Sequence, residues 1–374
     1  MLKENSMEIL RKFRDRKLIQ AVSKSIEKIA KKLDYVRIMH VCGTHEHTIT
    51  FFGLRSLLPD NVELIAGPGC PVCIVPAREV DEAIEIVFSG IRVYTYGDMY
   101  RVPGTKMSLA DARSEGADVK VVYGFNDAIR LHMKDRKKSV FFAVGFETTA
   151  PTLAAFISRR LIPDDLMILP SFRLTVPIMK YILSSFDINI DGIICPGHVS
   201  TIVGASAWSF IPRISGIPAV VAGFEPLDVM LAVFSILKMI LEGKPRLVNE
   251  YSRAVSWRGN ITAKRYVREV FYRADGEWRG IGRVKRSRLL LRKRFKHLDA
   301  RSRLSVSVDT GPEFKPGCRC ADIILGKAKP TDCPLFMRAC TPDRPQGPCM
   351  VSSEGTCSIW AKYGGYERIQ WHYD

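Results

Sequence analysis

Apolar positions give the first reading of the chain. In residues 2–33, Ile9, Leu10, Phe13, Ile19, Val22, Ile26, Ile29, Ala30 and Leu33 recur at helical spacing among basic residues. That predicts one basic amphipathic helix or a pair of them, packed on a neighbour, with a membrane-surface helix as the lesser alternative. From 36 to about 242 the pattern changes. Runs rich in Val and Ile at 36–41, 62–66, 91–95, 119–123, 139–144, 166–169, 192–195 and 218–222 are each followed by Gly, Pro or polar residues and then by helical spacing. Eight short strands separated by helices predict an α/β architecture with parallel sheets. Ligands of such sheets sit beyond the carboxyl ends of the strands.

MHVCGTHEHTI (39–49) and GIICPGHVSTI (192–202) both read strand, Cys-x-x-His, helix, and a strand ending Ala-Gly follows each (Ala66-Gly67, Ala222-Gly223). The echo predicts two similar α/β domains facing each other across a cleft. After 245 the chain becomes basic with scattered aromatics, and from Gly311 it is rich in Gly, Pro and Cys. Such a segment needs a staple, which cysteines can supply. The expected division is a helical segment 1–35, α/β domains 36–130 and 131–245, and a region 246–374 made of a basic linker and a small Cys-rich iron–sulfur domain.

Composition narrows the function classes. The 374 residues are 47% hydrophobic, too apolar for a largely disordered chain. No apolar run approaches the roughly 20 residues of a membrane span. The charged start MLKENSMEIL lacks an apolar signal core, so a cytoplasmic protein is expected. The net charge of +17 is local: residues 1–40 carry 11 Lys/Arg against 5 Asp/Glu, and 282–297 carry 8 Lys/Arg and no acid. Nucleic acid is therefore only one candidate partner, and not the expected one.

Ten cysteines in a cytosolic chain point to metal or redox chemistry. Cys318, Cys320, Cys333, Cys340, Cys349 and Cys357 crowd the last 57 residues. Thiolates bind iron–sulfur clusters or zinc, and the absence of paired C-x2-C knuckles favours a [4Fe–4S] cluster over zinc. Four of the six would ligate, and two are left for a redox pair. Structural zinc or free thiols are the alternatives. GPGCPVC (67–73) places Cys70 and Cys73 after a strand and before a helix starting near Ala77, a setting that favours thiolate and allows a disulfide or a soft metal. VCGTHEH (41–47) puts Cys42 at a strand end beside His45, a metal site or a buried inert thiol. Polar residues follow other strands: Asp98 in YGDM, Glu147, Thr148 and Thr149 in GFETTAP, His198 and Ser200 in CPGHVS, and Glu225 in AGFEP. Converging on one side of the sheets they would form a polar cleft. No phosphate-binding Gly-rich motif is present.

Together these motifs resemble the HypD family of hydrogenase maturation factors. The matching stretches are VCGTHEHTI, LPDNVELIAGPGCPVCIVP, YGDMYRVPG, FFAVGFETTAP, CPGHVSTIVG, VVAGFEPLD, EWRGIG, CRCADIILGKAKPTDCPLF and CTPDRPQGPCMVSSEGTCSIW, in family order from about 35 to 363. The resemblance implies a scaffold that works with HypC in building the Fe(CN)2CO group of [NiFe]-hydrogenases, with HypE, loaded by HypF, delivering cyanide. It implies Cys42 as iron ligand, Cys70 and Cys73 as further iron ligands or a thiol–disulfide pair, and the C-terminal cysteines as a [4Fe–4S] site like that of ferredoxin–thioredoxin reductase. Electrons would then pass from the cluster to Cys70/Cys73 and on to the iron. His45, Asp98, Glu147, Thr148, Thr149 and His198 would line the cleft and orient cyanide or CO. A thiol–disulfide oxidoreductase of the cluster-plus-dithiol type is the alternative. After EWRGIG the family runs neutral, whereas here the chain reads RVKRSRLLLRKRFK; a solvated face, an acidic partner or nonspecific nucleic acid would each account for it.

Overall fold

The computed structural model describes residues 11–185, 189–308 and 311–364. Ile9 and Leu10 of the expected N-terminal helix lie outside them. The helix Arg16–Ala30 is capped by Asp15, whose carboxylate accepts from the Leu18 N–H at 3.1 Å. It buries Ile19, Ile26 and Ala30 against the helix Pro226–Leu241, the packed arrangement expected from its spacing. No helix among the described residues is long and apolar enough to cross a membrane.

The strands are β1 (Val36–His40), β2 (Val62–Ala66), β3 (Arg92–Tyr96), β4 (Val119–Val122), β5 (Ser139–Gly145), β6 (Leu166–Phe172), β7 (Gly192–Pro196), β8 (Ala219–Ala222), β9 (Leu247–Asn249), β10 (Phe271–Trp278) and β11 (Gly282–Leu291). The first eight coincide with the apolar runs to within a few residues. They form two parallel sheets, in the orders β2-β1-β7-β8-β9 and β4-β3-β5-β6. β5 and β6 are buried along their whole length, which is why they read as continuous apolar runs rather than alternating ones.

The pairing departs from the expected domain boundary. Residue 130 falls between β4 and β5, inside the second sheet. The chain makes β1 and β2, leaves to build the whole second sheet, and returns to lay β7 beside β1, with Ile38 opposite Gly192 and His40 opposite Ile194. The two echoed segments are thus neighbouring strands of one sheet. The likeness between the units lies in topology. In each, two adjacent strands (β1 and β7; β3 and β5) send their crossovers in opposite directions. Right-handed crossovers then put the following helices on opposite faces and leave a crevice at the strands' carboxyl ends.

β10 and β11 form an antiparallel hairpin laid against β6 and the helix Thr175–Ser185. β11 carries the basic stretch. Its alternation turns Val284, Leu289 and Leu291 inward and most of its Lys and Arg outward. Arg288 is the exception, turned in to lie 3.6 Å from Glu79. Glu79, almost fully buried, also pairs with the fully buried Arg173 at 2.8 Å. That ionic knot fixes the hairpin to the helix Ala77–Phe88 that follows the CPVC loop. The remaining chain, from Gly311, is loops with short helices at Cys320–Ile324, Pro348–Val351 and Thr356–Tyr363.

Candidate functional site

β1 ends in the first sheet's crevice. Val41 extends its pairing by donating N–H to the Ile194 carbonyl at 3.1 Å, and Cys42, in extended conformation, starts the helix Gly43–Phe51. The loop after β2 folds back on this turn: Gly67 N–H donates to the His40 carbonyl at 2.9 Å and Gly43 N–H to the Gly69 carbonyl at 3.2 Å. Gly69 must lack a side chain, since a Cβ there would sit 2.5 Å from the Cys42 backbone. This approach brings GPGCPVC onto Cys42. Cys70 and Cys73 are joined by a disulfide with Cα atoms 5.4 Å apart. Cys42, the disulfide, His40, Glu46, Glu354 and Cys349 line one small cavity.

The electrostatics do not favour thiolates here. Burial pushes the Cys42 thiol up to about 11, and the Glu354 carboxylate adds to the shift. Burial, then Asp98, raises the Glu354 carboxyl to about 7. Cys70 and Cys73 are oxidised, so the thiolate-favouring helix end has no thiol there to act on.

Two carboxylates escaped the sequence reading. Glu46, 1% exposed, accepts from His40 Nε2–H at 2.8 Å, Thr50 at 2.6 Å, Trp360 Nε1–H at 2.8 Å and the Arg55 guanidinium at 2.8 and 2.9 Å. Burial alone would raise its pKa, but Arg55 and His40 outweigh burial and hold it well below the carboxylate range. Glu46 ties the C-terminal helix to the floor of the Cys42 cavity. The one sequence signal was an acid on a helix face that turns out to be wholly inward. Glu354, near the C-terminus, gave no signal at all.

The expected polar residues divide into three places. His45 is fully buried and donates Nε2–H to the Gly223 carbonyl at 2.9 Å; burial lowers its pKa to about 3, so the ring is neutral. Its ring and that of His198 lie on Phe224, at 4.8 and 3.9 Å. Both therefore stand at the β1/β7 crevice, outside the Cys42 cavity lining. Asp98 binds the C-terminal segment: its Oδ2 accepts from Ser352 Oγ, Ser353 N–H and Ser353 Oγ, each at 2.9 Å. Glu147 serves the start of the helix Thr175–Ser185, accepting from Thr175 N–H at 2.8 Å, and burial raises it to about 7. Thr148 and Thr149 lie at the second sheet's crevice. Ser200 bonds its own helix, and Glu225 pairs with Arg14. A cavity of about 400 Å³ there is lined by Thr149, Asp98, Tyr96 and Tyr123, and by Pro71 and Val72 of the disulfide loop. That loop therefore stands between the two crevices. A groove of about 1080 Å³ runs between the N-terminal helix and β2, and no cysteine lines it.

All six C-terminal cysteines line a single cavity. Cys349 accepts S–H bonds from Cys320 and then Cys357, which push it well down and push the two donors well up. Burial raises Cys318 to about 11 and also raises Cys340. Backbone N–H groups of Gln346 and Cys357 reach the sulfurs of Cys340 and Cys349 at 3.3 Å, bonds of the kind that tune cluster sulfurs. Among the described residues no three His, Cys, Asp or Glu side chains are already arranged to hold a metal ion. The thiols fit a cluster by number, softness and convergence rather than by finished ligand geometry. Cys349 lines both this cavity and that of Cys42, and the Pro348 carbonyl lies 3.8 Å from Cys73 Sγ.

The family model described as "HypD: Hydrogenase formation hypA family" matches residues 17–364. The chain is 45% identical over 356 residues to a Methanocaldococcus jannaschii protein named for hydrogenase expression and formation, covering 93% of this chain and 98% of the relative. It is 40% identical over 369 residues to the hydrogenase maturation factor HypD of Azotobacter vinelandii (96% and 97% covered). Against the factor of the same name from Escherichia coli strain K12 it is 39% identical over 333 residues (88% and 89%).

Proposed function

Because the chain belongs to the HypD family of hydrogenase formation proteins, we propose that it is a cytoplasmic scaffold that holds an iron ion while the Fe(CN)2CO group of a [NiFe]-hydrogenase is assembled, with HypC as its partner and HypE as the cyanide donor. The observation that carries this reading is the shared cavity: Cys42, the Cys70–Cys73 disulfide and Cys349 face one space. A soft thiolate suits low-spin iron bearing cyanide and CO.

The chain's own residues handle the proton. Cys42 is held as the neutral thiol, so loading iron on Sγ releases a proton. Glu354, raised to about 7 and lining the same cavity, takes that proton on its carboxylate near neutral pH. The buried turn excludes bulk water from the sulfur. Four of Cys318, Cys320, Cys333, Cys340, Cys349 and Cys357 would hold a [4Fe–4S] cluster, which when bound supplies single electrons. Cys70 and Cys73 store two electrons as a dithiol and release them on closing the disulfide.

Anaerobic copurification with HypC, with iron and sulfide counting and infrared spectroscopy, tests the reading. About four irons with sulfide are expected in the free protein, and one more iron with CN and CO bands in the complex. A Cys42→Ala protein that keeps those bands would refute the Cys42 assignment. Turnover of a disulfide substrate without partner or iron would favour the oxidoreductase reading, which the disulfide beside Cys349 also accommodates.

A further inference from the structure

Cys42 is only 8% exposed; the GPGCPVC loop lies on one side of its turn, and a short piece of chain from the far end of the sequence packs on the same turn at Gly43. Residues Ser352–Gly355 join the helices Pro348–Val351 and Thr356–Tyr363. They press on the turn that carries Cys42 so closely that a Cβ on Gly43 would run into the Glu354 backbone. Glu354 lines the Cys42 cavity.

This piece of chain is held from the other sheet. Asp98, at the end of β3, takes three hydrogen bonds on Oδ2, from Ser352 Oγ, Ser353 N–H and Ser353 Oγ. The Ser352 oxygen in turn accepts the Glu354 N–H at 3.2 Å. One carboxylate thus fixes three successive residues, the last of which lines the Cys42 cavity. Charge-assisted bonds of this kind are the strong ones. The partners are one exposed residue, Ser353, and a fully buried one, Ser352. The contact is a latch at the surface edge of the crevice rather than a piece of core.

We infer that Ser352–Gly355 is a strap closed over Cys42 and that Asp98 is the positioning residue that latches it, so that Cys42 is reached from outside when this latch opens. The inference takes from the preceding reading only that Cys42 must be reached; it assigns Asp98 to gating rather than to contact with a diatomic ligand.

The test is the rate at which iodoacetamide alkylates Cys42 in the full chain at one pH, followed by peptide mass spectrometry, with Cys195 as an internal reference. Cys195 is fully buried at the end of β7 and reports general loosening. Asp98→Ala should speed Cys42 alkylation about tenfold, the effect of losing one net charge-assisted hydrogen bond from the closed state. Asp98→Asn keeps an acceptor and should stay within about threefold of the native chain, which separates the latch from the loss of charge. Ser352→Ala/Ser353→Ala removes both hydroxyl donors, leaves the carboxylate, and should fall between; it decides the matter if Asp98→Ala does not fold. Equal Cys42 rates in all variants would overturn the inference, and so would a parallel rise at Cys195. Neither needs partner or iron, so failure here leaves the scaffold reading to its own infrared test.

Discussion

Glu147→Gln isolates a buried charge. The carboxyl is 7% exposed, faces Thr175, and is raised by burial from its ordinary 4.5 to about 7. The folded state therefore binds its proton more tightly than the unfolded state does. Stability from this group is fully present below about pH 4.5 and is lost as pH rises through about 7. Between pH 5 and pH 8 the loss is roughly 2–3 kcal/mol. Glutamine is neutral throughout and can still accept the Thr175 N–H, while the Thr175 hydroxyl can turn to accept from the amide. The variant should thus gain on the native chain between pH 5 and pH 8 by roughly 2–3 kcal/mol. Urea unfolding followed by tryptophan fluorescence at the two pH values reads the difference, and other titrating groups cancel in the comparison. Glu354, also raised to about 7 but partly exposed, adds a smaller slope of the same sign that persists in the variant. A pH-dependent gain under about 0.5 kcal/mol would mean that Glu147 stays solvated, and the reasoning would fail.

Other outcomes follow from the site's construction. Glu46→Ala should cost about 3 kcal/mol, because it strands the buried His40 and Trp360 and leaves Arg55 unpaired on one side; Glu46→Gln, which keeps the hydrogen bonds but not the charge, should cost less. Hydrogen exchange in residues 356–363 should accelerate in the alanine variant, and unchanged protection there would contradict the tie to the C-terminal helix. Gly69→Ala puts a Cβ into the Cys42 backbone, so the CPVC loop must shift; far more ready reduction of Cys70–Cys73 by dithiothreitol is expected, and native reduction kinetics would show that the contact is not tight.

The strands and the chemistry-bearing segments were legible in the sequence because both are local. A run of Val and Ile marks a buried strand wherever it pairs, and Cys42, Cys70-x-x-Cys73, Asp98, Glu147 and His198 fall just after strands in sequence as they do in space. The gathering of six thiols was legible too, since Gly- and Pro-rich loops over 57 residues have few other ways to be stabilised. Pairing was not legible. Nothing in β1 says that its neighbour is β7, some 150 residues away, because the choice depends on crossover direction and on which faces find apolar partners. The domain boundary expected at 130 failed for that reason. Glu46 and Glu354 were missed because a buried carboxylate looks like a surface one until its partners, Arg55, His40 and Trp360 in one case and Asp98 and Cys42 in the other, are brought beside it. The sequence determined at which strand ends the cysteines and polar residues stand. The tertiary structure alone decided that the disulfide loop divides two crevices, that Asp98 binds Ser352 and Ser353, and that Cys42 is buried, since each depends on contacts between segments far apart in the chain.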